Sequence, residues 1–228
     1  MKVSAIVPAA GLGLRLKSKV IKPLVAINSK PIIVHTLNRL SSCPSIDEIV
    51  VVFNASETSQ AKKLIKENNI KKIKDVVAGG DTRTQSVKNG LKCVGDSDFV
   101  LIHDGARPFI DQDIVKEAIG AVKKYNAVVV GLPVSSTIKR IDLQSQTVDC
   151  TLRRNEMWQI QTPQVFKRDL IVEAYENAED LDAPDDAFLV ERLGHKVALV
   201  LGSNLNIKIT TPEDLVLAEA INNINNCR

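Results

Sequence analysis

The chain has 228 residues, with 30 Lys and Arg against 27 Asp and Glu, a net charge of +3, and only 4% aromatics. That length holds one large α/β domain, or one with a small excursion, while dispersed cations and scarce aromatics exclude a nucleic-acid stripe. No apolar run approaches the ~20 residues of a membrane span, and Cys43, Cys93, Cys150 and Cys227 lack the C-x-x-C spacing of a zinc site or redox pair.

The first apolar run, Val3–Val7, reads as a strand entering Pro8-Ala9-Ala10-Gly11-Leu12-Gly13-Leu14-Arg15, with further cations up to Lys22. Tiny residues let a ligand lie against the backbone. Successive N–H groups in such a loop make a concave donor surface for phosphate oxygens. Arg15 adds a planar fork and Lys22 a point charge, so the segment reads as a triphosphate cradle. Leu16 stands where a dinucleotide fingerprint needs glycine, and no G-x-x-x-x-G-K-[ST] string occurs.

Apolar residues at helical spacing then mark Pro31–Leu40, followed by a strand at Glu48–Phe53, a helix at Glu57–Glu67 and a strand at Asp75–Val77. Gly79-Gly80-Asp81-Thr82-Arg83-Thr84-Gln85-Ser86 opens the next helix, Arg83–Leu91. Its glycines permit close approach, and Asp81 or Thr82 is the expected cap. The strand Phe99–His103 ends in Asp104-Gly105-Ala106-Arg107-Pro108. Asp104 suits a divalent metal or a ribose hydroxyl; the plainer alternative is an Asp104–Arg107 ion pair.

A helix at Asp111–Tyr125 and a strand at Ala127–Pro133 precede a polar, turn-rich stretch at 134–154, which reads as a hairpin leaving the core. A lone two-stranded arm is marginal in water, so a second copy of the chain is its expected support. Arg154 near the end of the arm is the better phosphate candidate than Arg153. Trp158–Gln161 reads as a strand that enters Thr162-Pro163-Gln164. Helices follow at Lys167–Asn177 and Asp185–Leu193, then strands at Val197–Leu201 and Asn206–Ile209 and a helix at Pro212–Asn222. In the last strand Lys208 faces away from Ile207 and Ile209. Strand–helix alternation implies a mostly parallel sheet with helices on both faces and a ligand outside the carboxyl ends of the strands. Cations, backbone donors and one placed Asp suit phosphoryl or nucleotidyl transfer, where positioning and charge neutralisation do most of the work.

Together P-A-A-G-x-G-x-R…K, G-G-D-x-R-x-x-S, H-D-G-A-R-P, R-N-x-x-W-x-x-Q-T-P-Q and N-I-K-I-T-x-P-E-D-L, running from about Val3 to Ala220, resemble the 2-C-methyl-D-erythritol 4-phosphate cytidylyltransferase family of the non-mevalonate isoprenoid pathway. The resemblance implies a single α/β domain over 1–228: a Rossmann-like nucleotidyltransferase with a mostly parallel central sheet and a protruding β-arm at 134–154 for homodimerisation. It implies CTP bound through Pro8, Ala9, Ala10, Gly11 and Gly13, with cytosine and ribose read by Gly80, Asp81, Arg83, Ser86, Asp104 and Gly105. Arg15 and Lys22 match the pair that stabilises the triphosphate and the reacting α-phosphorus. Asp104 would hold Mg²⁺, and Lys208 joins these as a catalytic cation. The branched polyol phosphate would meet Asp104, Arg107, Thr137, Arg154, Thr162 and Lys208, with Thr137 and Arg154 reaching the partner's site. The implied reaction is in-line attack of the acceptor phosphate on CTP, which needs no general base because the phosphate is already ionised.

This chain departs from the family pattern at Leu14, often basic, at Ile21-Lys22-Pro23, where P-K-Q is common, and at Pro184, which replaces a threonine. Proline disfavours helix at Lys22. A ribitol 5-phosphate cytidylyltransferase has a closely similar motif set and is the nearest rival. A non-catalytic CTP-binding protein is the rival of another class, though it has no need of both Arg15 and Lys22. No leader precedes the first strand, and with no disulfide framework visible a cytoplasmic chain with reduced thiols is expected. His35, His103 and His195 lie far apart, which argues against a His-based metal site.

Overall fold

The structure, a computed structural model, describes residues 1–11, 21–178 and 182–226. In chain order the elements are β1 (Val3–Ala9), the two-residue strands β2 (Ala26–Ile27) and β3 (Lys30–Pro31), α1 (Ile32–Ser41), β4 (Glu48–Phe53), α2 (Thr58–Glu67), β5 (Ile73–Ala78), α3 (Arg83–Leu91), β6 (Phe99–Ile102), α4 (Gln112–Tyr125), β7 (Ala127–Pro133), β8 (Lys139–Asp142), β9 (Thr147–Thr151), β10 (Trp158–Lys167), α5 (Arg168–Glu176), α6 (Asp186–Arg192), β11 (Ala198–Leu201) and α7 (Pro212–Asn226).

Seven strands form one sheet in the order β11-β7-β10-β6-β1-β4-β5. All neighbours are parallel except β10, which runs antiparallel to both β6 and β7. The chain leaves β1 towards β4 and β5, then crosses back to place β6 on the other side of β1. That reversal puts a crevice at the carboxyl ends of β1 and β6.

Strand side chains alternate between two apolar layers, as the period of two requires. Val3, Ala5, Val7, Ile49, Val51, Phe53 and Leu101 pack against α1, α2 and α4. Ile6, Val50, Val52, Val100 and Ile102 pack against α3, α5 and α6 on the other face. A sheet covered on both faces explains why its strands read as continuous aliphatic runs. A third cluster, Ile27, Ile32, Phe109, Ile209, Ala218 and Ile221, docks α7 beside β2 and β3.

Helix starts follow local chemistry. Asp111 caps α4 by accepting from Asp113 N–H at 2.7 Å, Asp185 caps α6 through Phe188 N–H at 2.9 Å, and Thr82, not Asp81, caps α3 through Gln85 N–H at 3.1 Å. Asn126 ends α4 in the left-handed region, φ 62°.

Two expectations are corrected. Residues 206–209 form no strand: Asn206 is turned into the core by donating to Thr162 O at 2.8 Å and Gln161 Oε1 at 3.2 Å, and the segment's backbone bonds to Ala106 instead of to a ladder. The strand from Trp158 continues past Thr162 to Lys167, through an irregularity between Gln161 and Gln164. The proline and polar residues at 161–164 had hidden that continuation. The hairpin at 134–154 is present as antiparallel β8 and β9, and its Ile141, Leu143 and Val148 are 44%, 86% and 56% exposed.

Candidate active site

The crevice at the carboxyl ends is a cavity of about 660 Å³ lined by Pro8, Ala9, Ala10, Gly11, Lys22, Pro23, Asn54, Gly80, Asp81, Thr82, Arg83, Ser86, Asp104, Ala106 and Lys208. It gathers sequence motifs that lie up to two hundred residues apart. The end of β1 supplies the small-residue floor, the β5–α3 turn one wall and the end of β6 the other. The floor has little room for larger groups: a Cβ on Gly79 would sit 2.4 Å from Ala10 Cβ and 2.8 Å from Ser86 Oγ. Ser86, almost fully buried, accepts from Gly80 N–H at 3.1 Å and donates to Thr82 O at 2.9 Å, which fixes the glycine turn.

Asp104 is the electrostatic centre. Its Oδ1 accepts from Arg83 Nε at 3.0 Å, and its Oδ2 lies 2.8 Å from Lys208 Nζ and 3.7 Å from Arg107 Nε. Burial works against ionisation here, but the three cations outweigh it and hold the carboxyl well below the usual carboxylate range. The expected Asp104–Arg107 pair is therefore present, as one member of a larger cluster. Lys22 and Lys208 stand in the same wall, and such cations favour an anionic ligand. Among the described residues no group of three or more His, Cys, Asp or Glu is placed to hold a metal ion.

The turn bearing Asp104 is held from beneath. Asp104 N–H donates to Thr162 Oγ1 at 3.0 Å, Thr162 Oγ1 lies 3.1 Å from His103 Nδ1, and His103 Nε2 lies 3.0 Å from Arg107 O. A carbonyl can only accept, so the His103 proton sits on Nε2 and Nδ1 accepts from the Thr162 hydroxyl. Burial pushes the fully enclosed His103 down to about 4, keeping it neutral. Arg107 donates through Nη1 to Asn206 O at 2.8 Å, and its Nε is buried without a hydrogen-bond partner.

Of the residues singled out in the sequence, Pro8, Ala9, Ala10, Gly11, Lys22, Gly80, Asp81, Arg83, Ser86, Asp104 and Lys208 are brought together in the cavity wall. Gly105, Arg107 and Thr162 lie just behind it. Gly105 packs under β1, where a Cβ would meet Ala9 Cβ at 3.0 Å. Thr137 and Arg154 sit out on the arm, where Arg154 donates to Ser135 O at 2.9 Å. Gly13, Leu14 and Arg15 lie outside the described residues.

Lys22 opens a single 3-10 turn, Lys22–Leu24, so proline does not keep it out of helical structure as expected. Pro23 occupies a first-turn position whose N–H has no helical partner to lose. Sequence reading missed Asn54, Thr82 and Ala106 as wall residues. Asn54 follows the last residue of β4, and a polar residue at a strand's carboxyl end was the available signal. It also missed Asp186, which is fully buried and accepts a bidentate pair from Arg83 at 3.0 and 2.7 Å.

A small-residue floor, backbone donors, cations and one anchored carboxylate at the switch point of an α/β sheet define a nucleotide-binding transferase of the nucleotidyltransferase class. A family model described as 2-C-methyl-D-erythritol 4-phosphate cytidylyltransferase matches residues 3–223. A Syntrophus aciditrophicus protein of that description is 46% identical over 223 residues, 96% of this chain and 95% of its own. One from Clostridium novyi is 42% identical over 230 residues, 99% of each. The crystal structure of 4-diphosphocytidyl-2C-methyl-D-erythritol synthase from Anaerococcus prevotii superposes with a TM-score of 0.85 at 34% identity, covering 97% of this chain and 96% of that one. The Thermus thermophilus cytidylyltransferase gives 0.79 at 32% identity, covering 97% and 98%. The chain belongs to the 2-C-methyl-D-erythritol 4-phosphate cytidylyltransferase family, and is an enzyme of the cytidylyltransferase type.

Proposed function

We propose that this chain transfers CMP from CTP to 2-C-methyl-D-erythritol 4-phosphate, releasing pyrophosphate. The observation that carries this reading is the gathering of the β1 loop, the G-G-D-x-R turn, Asp104, Lys22 and Lys208 around one cavity. CTP lies with its phosphates over Pro8, Ala9, Ala10 and Gly11, and with cytosine and ribose against Gly80, Asp81, Arg83 and Ser86. Asp104 addresses the ribose, and Gly105 lets its turn pack closely under β1.

While Arg107 and Thr162 hold the Asp104 turn from behind the wall, the acceptor enters beside Lys208. Its phosphate oxygen attacks the α-phosphorus in line. Lys22 and Lys208, with Arg15, neutralise charge as it shifts towards the leaving pyrophosphate, the form of catalysis in which prepositioned charge lowers the barrier. Mg²⁺ bound with the triphosphate would supply further charge neutralisation. Such an ion would be held mainly by phosphate oxygens, with Asp104 the carboxylate that would reach it.

The chain acts as one nucleotidyltransferase domain and as a homodimer, in the cytoplasm. No helix among the described residues is long and apolar enough to cross a membrane. The exposed apolar side chains Ile141, Leu143 and Val148 give the arm a surface for a second copy, and Thr137 and Arg154 then complete the partner's acceptor site. Mixing inactive Lys22→Ala protomers with inactive Arg154→Ala protomers tests this. Recovery of turnover in mixed dimers supports a shared site, whereas continued inactivity with dimers formed contradicts it.

A further inference from the structure

Arg83 is an unusual wall residue, because all three of its nitrogens are already committed. Nε donates to Asp104 at the cavity face, and Nη1 and Nη2 donate as a fork to Asp186, which is fully buried and does not touch the cavity. A bidentate pair fixes the guanidinium plane as well as its position. Burying a carboxylate completely is costly unless every oxygen is matched, and Asp186 is matched: Tyr175, from α5, donates its hydroxyl to Oδ1 as well.

The backbone at Asp186 is fixed too. Gln164, itself almost fully buried on β10, accepts from Asp186 N–H at 3.1 Å and Ala187 N–H at 3.0 Å, and donates to Asp185 at 3.0 Å. The first turn of α6 is thereby pinned to β10. Burial and then Asp186 push the Tyr175 hydroxyl far above its ordinary range, so it remains a donor.

Resting on the function proposed above, we infer that Asp186, supported by Tyr175, is a positioning residue for nucleotidyl transfer. It restrains Arg83 so that Nε orients Asp104 and the guanidinium charge is withheld from the triphosphate. An unanchored arginine has enough rotamers to swing into the cavity and pair with ground-state phosphates. Such binding lowers KM without helping turnover.

The test compares wild type, Asp186→Asn and Tyr175→Phe by pyrophosphate release per folded protein and by the ¹⁵N signal of the Arg83 Nε–H. Wild type is expected to show a protected Nε–H resonance. Asp186→Asn is expected to lose that resonance and to drop kcat about 10-fold or more with KM for CTP unchanged or lower, and Tyr175→Phe to drop kcat about 3-fold in the same pattern. A merely structural role would lower the melting temperature and leave kcat per folded molecule intact. An Arg83 resonance that persists in Asp186→Asn, or a kcat within about 2-fold of wild type, overturns the inference. If Asp186→Asn does not fold, Tyr175→Phe decides by the same two readouts. A wild type that releases no pyrophosphate with the branched acceptor counts against the proposed function, and the resonance alone then decides the positioning.

Discussion

Lys22 and Asp104 in the cavity wall and His103 behind it act by different physics, and each makes its own prediction. Lys22 meets charge that develops during transfer, so Lys22→Ala should lower kcat by about 100-fold while CTP affinity, measured by calorimetry, changes by less than about 10-fold. Equal losses in both would make Lys22 a binding residue. Asp104 neutralises a buried cluster. Its replacement by Asn leaves Arg83, Lys208 and Arg107 underpaired, and urea unfolding at neutral pH should show a loss of about 3–5 kcal/mol, the cost typical of breaking a buried ionic contact.

His103 is kept neutral by burial, from an ordinary 6.5 down to about 4. As pH falls between those values the unfolded chain binds a proton that the folded chain refuses, so folded stability falls. At 1.36 kcal/mol per unit the loss is about 3 kcal/mol by pH 4. Asp104 acts in the same sense over a lower window: its carboxyl stays ionised in the fold while the unfolded chain takes up a proton, so its stabilisation is lost as pH falls through and below the ordinary carboxylate range. His103→Gln should flatten the wild-type stability curve between pH 6.5 and 4, with parallel curves as the contrary result.

The elements were legible wherever a period or a cap dictated them. Glu48–Phe53, Arg83–Leu91 and Ala127–Pro133 have the expected bounds, because a both-faces-buried strand is an aliphatic run and an amphipathic helix shows its period. Residues 206–209 show the limit of that reasoning. Alternation set Lys208 on the face opposite Ile207 and Ile209, yet backbone bonding to the 104–107 turn replaced the ladder. No local pattern distinguishes those two outcomes. The role of Asp186 was not legible either, because only the fold brings Arg83 and Tyr175 to it. At this scale Gly79→Ala should abolish CTP binding and cost about 1–3 kcal/mol of stability, since the new methyl overlaps Ala10 and Ser86. Unchanged CTP affinity in that variant would mean the floor can yield.

The whole molecule follows from strand order. Crossing from β5 back past β1 to β6 makes the crevice, and Gly11, Gly80, Lys22, Arg83, Asp104 and Lys208 converge there. The arm at 134–154 is the part that the sheet does not explain. As a hairpin with exposed apolar residues it predicts a dimer by sedimentation, lost when the arm is shortened to a tight turn. A monomeric wild type with full activity would exclude both the dimer and the shared acceptor site.

The most direct test of the central claim is pyrophosphate release with CTP and Mg²⁺, comparing 2-C-methyl-D-erythritol 4-phosphate with ribitol 5-phosphate and using Lys22→Ala as the control. Release with the branched acceptor, weak or absent with ribitol phosphate and lost in the variant, is the predicted result. Release with ribitol phosphate alone, or with neither acceptor while CTP still binds, would contradict it.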